Sequence, residues 1–263
     1  MYKRQVIYLE IIFIAIIGLC IGSFLNVCIY RIPREESIVF PPSHCTTCSY
    51  KLQGCDLIPL LSYIFLKGRC RGCGERISIK YPLIEILNSL LYVLIYCNYG
   101  NSISSLKGFL LTSLLIVIAG IDLETHYIYK STTIFGIGSF VFIAIMAFLI
   151  SGQIPWDNLL GGVLGVSVIG AIVLLTGGMG EGDIEIALII GLFLGIKRVI
   201  LALFIAFILG GIIASLILIL KIKGRKAEIA FGPYLAMGAI ISLLYGTETV
   251  SYTHLRAHET TLH

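Results

Sequence analysis

The chain has 263 residues, of which 57% are hydrophobic and only 13% charged, and its mean hydropathy is +0.97. A soluble domain of this length does not carry so apolar a composition, so the bilayer is read as its solvent. The net charge of +4 is too small to indicate a partner, and nucleic acid is not expected to be one.

Eight apolar spans are predicted in chain order, near 6–29, 81–99, 107–122, 132–151, 158–176, 183–197, 199–220 and 231–246. Each approaches the roughly 20 residues needed to cross about 30 Å of hydrocarbon. The expected fold is therefore an all-α polytopic membrane bundle of about eight transmembrane helices. The first span is too long, and too closely followed by others, to be a cleaved signal peptide.

Between the first two spans lies a polar insert, residues 30–80, with eight Lys/Arg and four Asp/Glu. The positive-inside rule makes this insert cytoplasmic. Counting spans forward puts 123–131, 177–182 and 221–230 on the same side. Lys221, Lys223, Arg225 and Lys226 support that count, while Lys107, Lys197 and Arg198 weigh against it without reversing the balance. Small residues at helical spacing, Gly161 with Gly165 and Gly191 with Gly195, predict close helix approach.

Residues 81–246 form the expected core. From Thr247 onward the chain turns polar and gathers His254, His258 and His263, three of its five histidines. This 247–263 tail resembles translated sequencing-adapter read-through, as do the first five residues, and both are set aside.

The insert carries Cys45-x-x-Cys48 and Cys70-x-x-Cys73, separated by 21 residues. Two such pairs supply four thiolates for a tetrahedral ion, for which Zn²⁺ is the usual occupant. A module of about 50 residues buries little core, so a structural metal would hold it together. Two disulfides, or a redox dithiol, are the alternatives. A reducing cytoplasm argues against the first, and the lack of a thioredoxin-like context against the second. Four thiolates leave no open position, so the predicted role is structural. Gly72 and Gly74 suit tight turns at the second knuckle. Cys20, Cys28 and Cys97 are read as buried hydrophobes, and Cys55 and His44 are not assigned as ligands.

Ionisable groups at membrane depth are functional candidates by default. Asp122 ends one apolar segment and Asp183 opens another, after Gly180-Glu181-Gly182, and charge counting places both on the cytoplasmic side. A carboxylate pair suits acid–base peptide hydrolysis, because like charges held close cannot both ionise. One carboxylate activates water while the other donates a proton to the carbonyl oxygen. Gly180 and Gly182 are expected to leave the backbone open to an extended substrate strand and free to adopt positive φ. Capping of a helix N-terminus is the competing reading for Asp183. Glu124, Glu181 and Glu185 crowd the region, either as a solvated face or as an acidic approach for a basic segment. His126 is read as interfacial. Glu85 is a further buried acid, with a basic residue near Arg31 as its expected partner.

In this order the motifs are Gly22-Ser23-Phe24-Leu25-Asn26 through Arg31-Ile32-Pro33, Pro41-Pro42-Ser43-His44-Cys45 with the tetrad, Ile58-Pro59-Leu60-Leu61-Ser62-Tyr63 and Tyr81-Pro82-Leu83-Ile84-Glu85. Asp122, Gly180-Glu181-Gly182-Asp183 and Phe231-Gly232-Pro233-Tyr234-Leu235-Ala236 follow. Over about residues 8–246 the chain resembles the type IV prepilin peptidases, membrane aspartyl proteases with a Gly-x-Gly-Asp motif.

The resemblance implies an enzyme of the bacterial cytoplasmic (inner) membrane whose active site faces the cytoplasm. It would cut the basic leader from prepilins or pilin-like secretion and competence proteins, with Asp122 and Asp183 as the catalytic pair. It would then methylate the new N-terminal residue with S-adenosylmethionine. No Rossmann-like glycine fingerprint marks a site for that cofactor, so methylation is implied by the resemblance alone. Two positions differ from the family pattern: Tyr129 follows Ile128 where Ile-Pro is usual, and Glu185 stands where Lys is common. A leader peptidase without methyltransferase activity is the first rival. An ion- or proton-coupled transporter is the more distant one.

Overall fold

The computed structural model describes the backbone of residues 2–220 and 230–259, and the side chains of 7–220 and 230–245. The basic stretch at 221–229 and the side chains of the 247–263 tail lie outside the described residues. Among those residues there are no strands beyond two isolated bridges.

Eight long helices fall where the apolar spans were expected: α1 (Tyr2–Arg31), α3 (Lys80–Tyr99), α4 (Ile103–Thr125), α5 (Lys130–Ser151), α6 (Trp156–Thr176), α7 (Glu181–Leu194), α8 (Ile196–Ile219) and α9 (Gly232–Glu259), with a short α2 (Leu61–Phe65) in the insert. Six of them, α1, α3, α4, α5, α6 and α8, are long and apolar enough to cross a membrane. The 14 residues of α7 would reach only about 21 Å, short of the hydrocarbon thickness. The apolar part of α9 is Gly232–Tyr245. Glycines in positive φ stop α3, α5, α6 and α7, at Gly100, Gly152, Gly177 and Gly195, where a residue with a Cβ would be strained.

The chain divides into two compact units, Met1–Val117 and Ile118–His263. In the first unit α1 packs along α3. The two backbones approach closely, since a Cβ on Gly22 would lie 2.7 Å from Glu85 Cα. Polar side chains fasten the pair: Asn88 donates to Gly18 O at 2.8 Å, Ser89 to Ala15 O at 2.8 Å and Asn26 to Tyr81 O at 3.1 Å. Such bonds replace the hydrophobic drive that lipid removes.

In the second unit α7 is surrounded by α5, α6, α8 and α9. Ile186, Ala187, Ile189 and Ile190 are fully buried. The small-residue stripe behaves as the sequence predicts, because a Cβ on Gly161 would lie 2.5 Å from Gly191 O and 2.8 Å from Gly195 Cα. That near-contact of backbones sets the position of α7. Gly238 in α9 likewise lies against the α8 backbone at Ala202 and Ala206, which fixes where α9 begins.

Candidate active site and metal centre

Asp122 lies in the last turn of α4 and Asp183 at the third position of α7, within one unit, and both are buried. The two carboxylates are within electrostatic reach of each other. Asp122 Oδ2 accepts the backbone N–H of Gly232 at 2.9 Å, and Asp183 Oδ2 accepts that of Gly180 at 3.2 Å. These donors are first-turn amides at helix N-termini, which have no partner within the helix and favour anions. Among the described residues, none donates a hydrogen bond to the second oxygen of either aspartate, and that oxygen is not sealed from solvent. Each carboxylate is thus held by one oxygen and presents the other, an arrangement that can bind and polarise a water.

Capping at Asp183 leaves one of its oxygens uncommitted. From the third helical position it accepts the N–H of the N-cap residue Gly180 and so closes the first turn of α7, using only one of its oxygens.

The glycines act differently from the expectation of an open, positively twisted backbone. Gly180 has φ −76° and ψ 150°, ordinary extended backbone, and Gly182 is not among the positive-φ glycines. The space that Gly182 leaves is taken by Ile128, whose Cβ would lie 2.9 Å from an added Cβ. Gly182 therefore seats the loop after Asp122 against the start of α7. The neighbouring acids separate as well. Glu185 accepts the hydroxyl of Thr133 and so ties α7 to α5, whereas Glu124, Glu181 and His126 are exposed.

Gly232 is a site residue that residue-by-residue reading missed. Pro233 beside it has no N–H to satisfy, and the Gly232 amide points to Asp122 from 110 positions away. A Cβ there would lie 2.7 Å from Asp122 Oδ2 and 3.1 Å from Ile186 Cδ1. Gly232→Ala is expected to displace the Asp122 carboxylate and lower cleavage of a co-expressed substrate on the order of 10²-fold, with membrane insertion unchanged. Wild-type cleavage in that variant would show that the contact is unimportant.

In the other unit the four cysteine sulfurs of Cys45, Cys48, Cys70 and Cys73 lie within 4.8 Å of one another, and no disulfide links them. Cys45 Sγ and Cys73 Sγ are 3.9 Å apart, as are Cys48 Sγ and Cys70 Sγ. A tetrahedral ion with Zn–S bonds of about 2.3 Å requires sulfurs about 3.8 Å apart, so the cluster could hold one.

The two knuckles share one backbone pattern. Cys45 N–H donates to Tyr50 O and Cys70 N–H to Glu75 O, while Ser49 N–H returns to Cys45 O and Gly74 N–H to Cys70 O. The fifth residue of each, Ser49 and Gly74, has positive φ, 57° and 75°. Gly72 serves a close approach instead, its missing side chain facing the Tyr50 ring.

The Cys48 and Thr47 backbone amides push the Cys45 thiol down to about 6, which readies it as a thiolate. Cys73 is pushed up to about 12. The Glu75 amide opposes that rise, but the thiols of Cys48, Cys70 and Cys45 outweigh it. Asp56 joins the knuckles by accepting the Gln53 N–H at 3.1 Å and the Arg71 Nε–H at 2.8 Å.

Glu85 and Arg31 do not pair with each other. Glu85 Oε2 accepts the Leu60 N–H at 2.7 Å, and Arg31 donates to Ser37 O and Pro41 O, each at 2.8 Å.

Comparison with known proteins fits this geometry. The bacterial peptidase A24 N-terminal domain matches residues 16–99, and the type IV leader peptidase family matches residues 109–215. The prepilin leader peptidase/N-methyltransferase of Bacillus subtilis (strain 168) is 34% identical over 246 residues, covering 93% of this chain and 97% of the relative. The protein of the same name from Neisseria gonorrhoeae is 33% identical over 258 residues, covering 86% and 87%. That from Myxococcus xanthus (strain DK1622) is 34% identical over 214 residues, covering 79% and 63%. No solved structure matches the chain. Domains in family order across the chain, and a relative 34% identical and matched over 97% of its length, mean that the chain belongs to the type IV leader peptidase family.

Proposed function

We propose that the protein is a membrane aspartyl endopeptidase that removes the basic leader from type IV prepilins or pilin-like proteins at the cytoplasmic face of the bacterial inner membrane. It then N-methylates the residue so exposed. The observation that carries the peptidase reading is the pair of buried aspartates, each tethered by one oxygen to a backbone amide and offering the other. Asp122 and Asp183 act as a dyad that shares one proton. The ionised member takes a proton from water as that water attacks the scissile carbonyl. The protonated member donates to the carbonyl oxygen, and collapse of the tetrahedral species expels the mature N-terminus as an amine. Two backbone N–H groups aimed at the carboxylates hold this geometry before substrate arrives.

The relatives' names include N-methyltransferase, which supports the second activity. S-adenosylmethionine would supply the methyl group, which the new α-amine takes with loss of a proton. Cys45, Cys48, Cys70 and Cys73 would hold a structural Zn²⁺ in the 30–80 insert, with 81–246 carrying the protease core. Membership of a peptidase family leaves the transporter reading without support.

Intact-mass analysis of a co-expressed prepilin tests the reading. The expected product has lost its leader and gained about 14 Da at its N-terminus, one CH₂ added by covalent modification. Leader loss without that gain would reduce the enzyme to a peptidase. No processing by the inserted protein would overturn the proposal.

A further inference from the structure

The short helix α2 divides its side chains between two faces. Ser62, Tyr63 and Leu66 are half-buried. Leu61, Ile64 and Phe65 have the spacing of a single helix face and are 50%, 59% and 80% exposed. Leu57 and Ile58, just before α2, are exposed as well. An apolar face that the fold itself leaves open marks a place where something else covers it.

The anchoring of α2 says what that is. The chain enters the helix through Leu60, with φ 60° and ψ −50°, and the Leu61 N–H donates to Pro59 O at 2.6 Å. This is a γ-turn of the strained hand, which a leucine adopts only where its surroundings hold it. Glu85 supplies that hold by accepting the Leu60 N–H at 2.7 Å. It lies five residues beyond Lys80, where α3 begins, and so about 8 Å along that helix. The start of α2 is therefore tied beside the first turns of α3, whose Lys80–Tyr99 is apolar and long enough to cross a membrane.

On α3 itself Leu83, Ile86, Leu87 and Leu90 are exposed, as side chains that face acyl chains are. Lys67 and Arg69 follow α2 directly and are exposed, and the 30–80 insert carries eight Lys/Arg against four Asp/Glu. Cations beside an apolar face suit a surface of acidic headgroups over hydrocarbon.

We infer that α2 docks on the bilayer surface from which α1 and α3 emerge, with Leu61, Ile64 and Phe65 at the boundary of headgroups and acyl chains and Lys67 and Arg69 among the lipid phosphates. The inference uses the membrane reading of the helices and is independent of the peptidase and methyltransferase proposals. A protein occupant fits less well, because three side chains cannot supply the roughly 800 Å² per partner that a stable interface buries. The bilayer is already tethered to the insert through α1 and α3, so contact with it is intramolecular in effect and a small face suffices. Docking of this kind fixes the orientation of the insert over the membrane.

Tryptophan fluorescence tests the inference. The chain has one tryptophan, Trp156, so Phe65→Trp in a Trp156→Phe background places a single reporter on the exposed face of α2. The purified full-length chain is reconstituted in vesicles of phosphatidylcholine and phosphatidylglycerol, with iodide on both sides or with lipids brominated near the headgroup end or near the end of the acyl chain. An unchanged melting temperature shows that the reporter chain is folded. Lipids brominated near the headgroup end should quench the reporter about twofold more than those brominated at the chain end, because an interfacial helix sits only about 5–10 Å deep. Iodide should quench it weakly. Leu61→Ser with Ile64→Ser, both at exposed positions, should reverse this and give strong iodide quenching.

Strong iodide quenching of the reporter without any effect of brominated lipid would put the face in water and overturn the inference. Shielding from both quenchers would assign the face to protein, a second copy included, and overturn it equally. Brominated-lipid quenching that persists undiminished in the Leu61→Ser, Ile64→Ser variant would show nearness without docking, with the same consequence.

Discussion

Asp122→Asn and Asp183→Asn are each expected to abolish leader cleavage, with a fall on the order of 10³-fold or more, as when a member of an interdependent catalytic group is lost. The chain should still reach the membrane. Both substitutions are nearly isosteric, and the amide oxygen of Asn can still accept the Gly232 or Gly180 N–H now bonded at 2.9 and 3.2 Å. The local fold is therefore preserved.

What disappears is the ability to exchange a proton, which the dyad needs in both directions: one member takes it from water and the other gives it to the carbonyl oxygen. If Asp183 served only to accept the Gly180 N–H from the third helical position, Asn would replace it at small cost, since its amide oxygen can accept the same bond. The outcomes thus separate sharply. Intact mass of a co-expressed prepilin, with membrane fractionation of the variant, makes the measurement. Processing at a wild-type rate by either variant would remove that aspartate from the mechanism.

Helix positions were legible because an apolar run of bilayer length admits few alternatives. All eight expected spans fall on helices, and among the described residues six of these helices meet the length and composition required to cross. The two that do not, α7 and α9, are those that bring Asp183 and Gly232 to the site.

The four-cysteine cluster was legible from spacing alone, since Cys-x-x-Cys is a local turn that repeats. Ser49 was less so, because its positive φ is visible only once the two knuckles are superposed in pattern. Contacts between residues far apart in the chain left no trace in composition or period. The Gly232 amide on Asp122, Ile128 filling the space at Gly182, and the separate partners of Arg31 and Glu85 are all of this kind. Gly182 illustrates the limit best. A glycine before a catalytic residue suggests backbone freedom, whereas here its use is a missing side chain, and only the neighbour that fills the gap reveals this.

The second large effect concerns the insert. Removing zinc with a strong chelator, or replacing Cys73 by Ser, is expected to unfold residues 32–79 while the membrane helices persist. Of residues 32–80, only Gly68 and Cys70 are buried, so the module has no hydrophobic core to sustain it. Large apolar side chains there, Phe40 at 72% and Phe65 at 80% exposed, contribute almost nothing to its interior.

What remains is the Asp56–Arg71 pair, a few turn hydrogen bonds and the tetrathiolate. With its Arg71 partner half-exposed, this ion pair is worth on the order of 1 kcal/mol, against roughly 10–16 kcal/mol of apparent zinc binding energy in small metal-folded modules. Metal therefore dominates, and acid, which protonates the thiolates, should act in the same direction as a chelator. Metal analysis should find about one zinc per chain, and limited proteolysis should cut the insert only after the metal is withdrawn. A metal-free chain whose insert stays protected, or one in which Cys45 and Cys48 form a disulfide, would show that something other than zinc holds it. The proposed cleavage by Asp122 and Asp183 would draw on none of the four cysteines for its chemistry, so any loss of cleavage on chelation would report how far the insert supports the substrate.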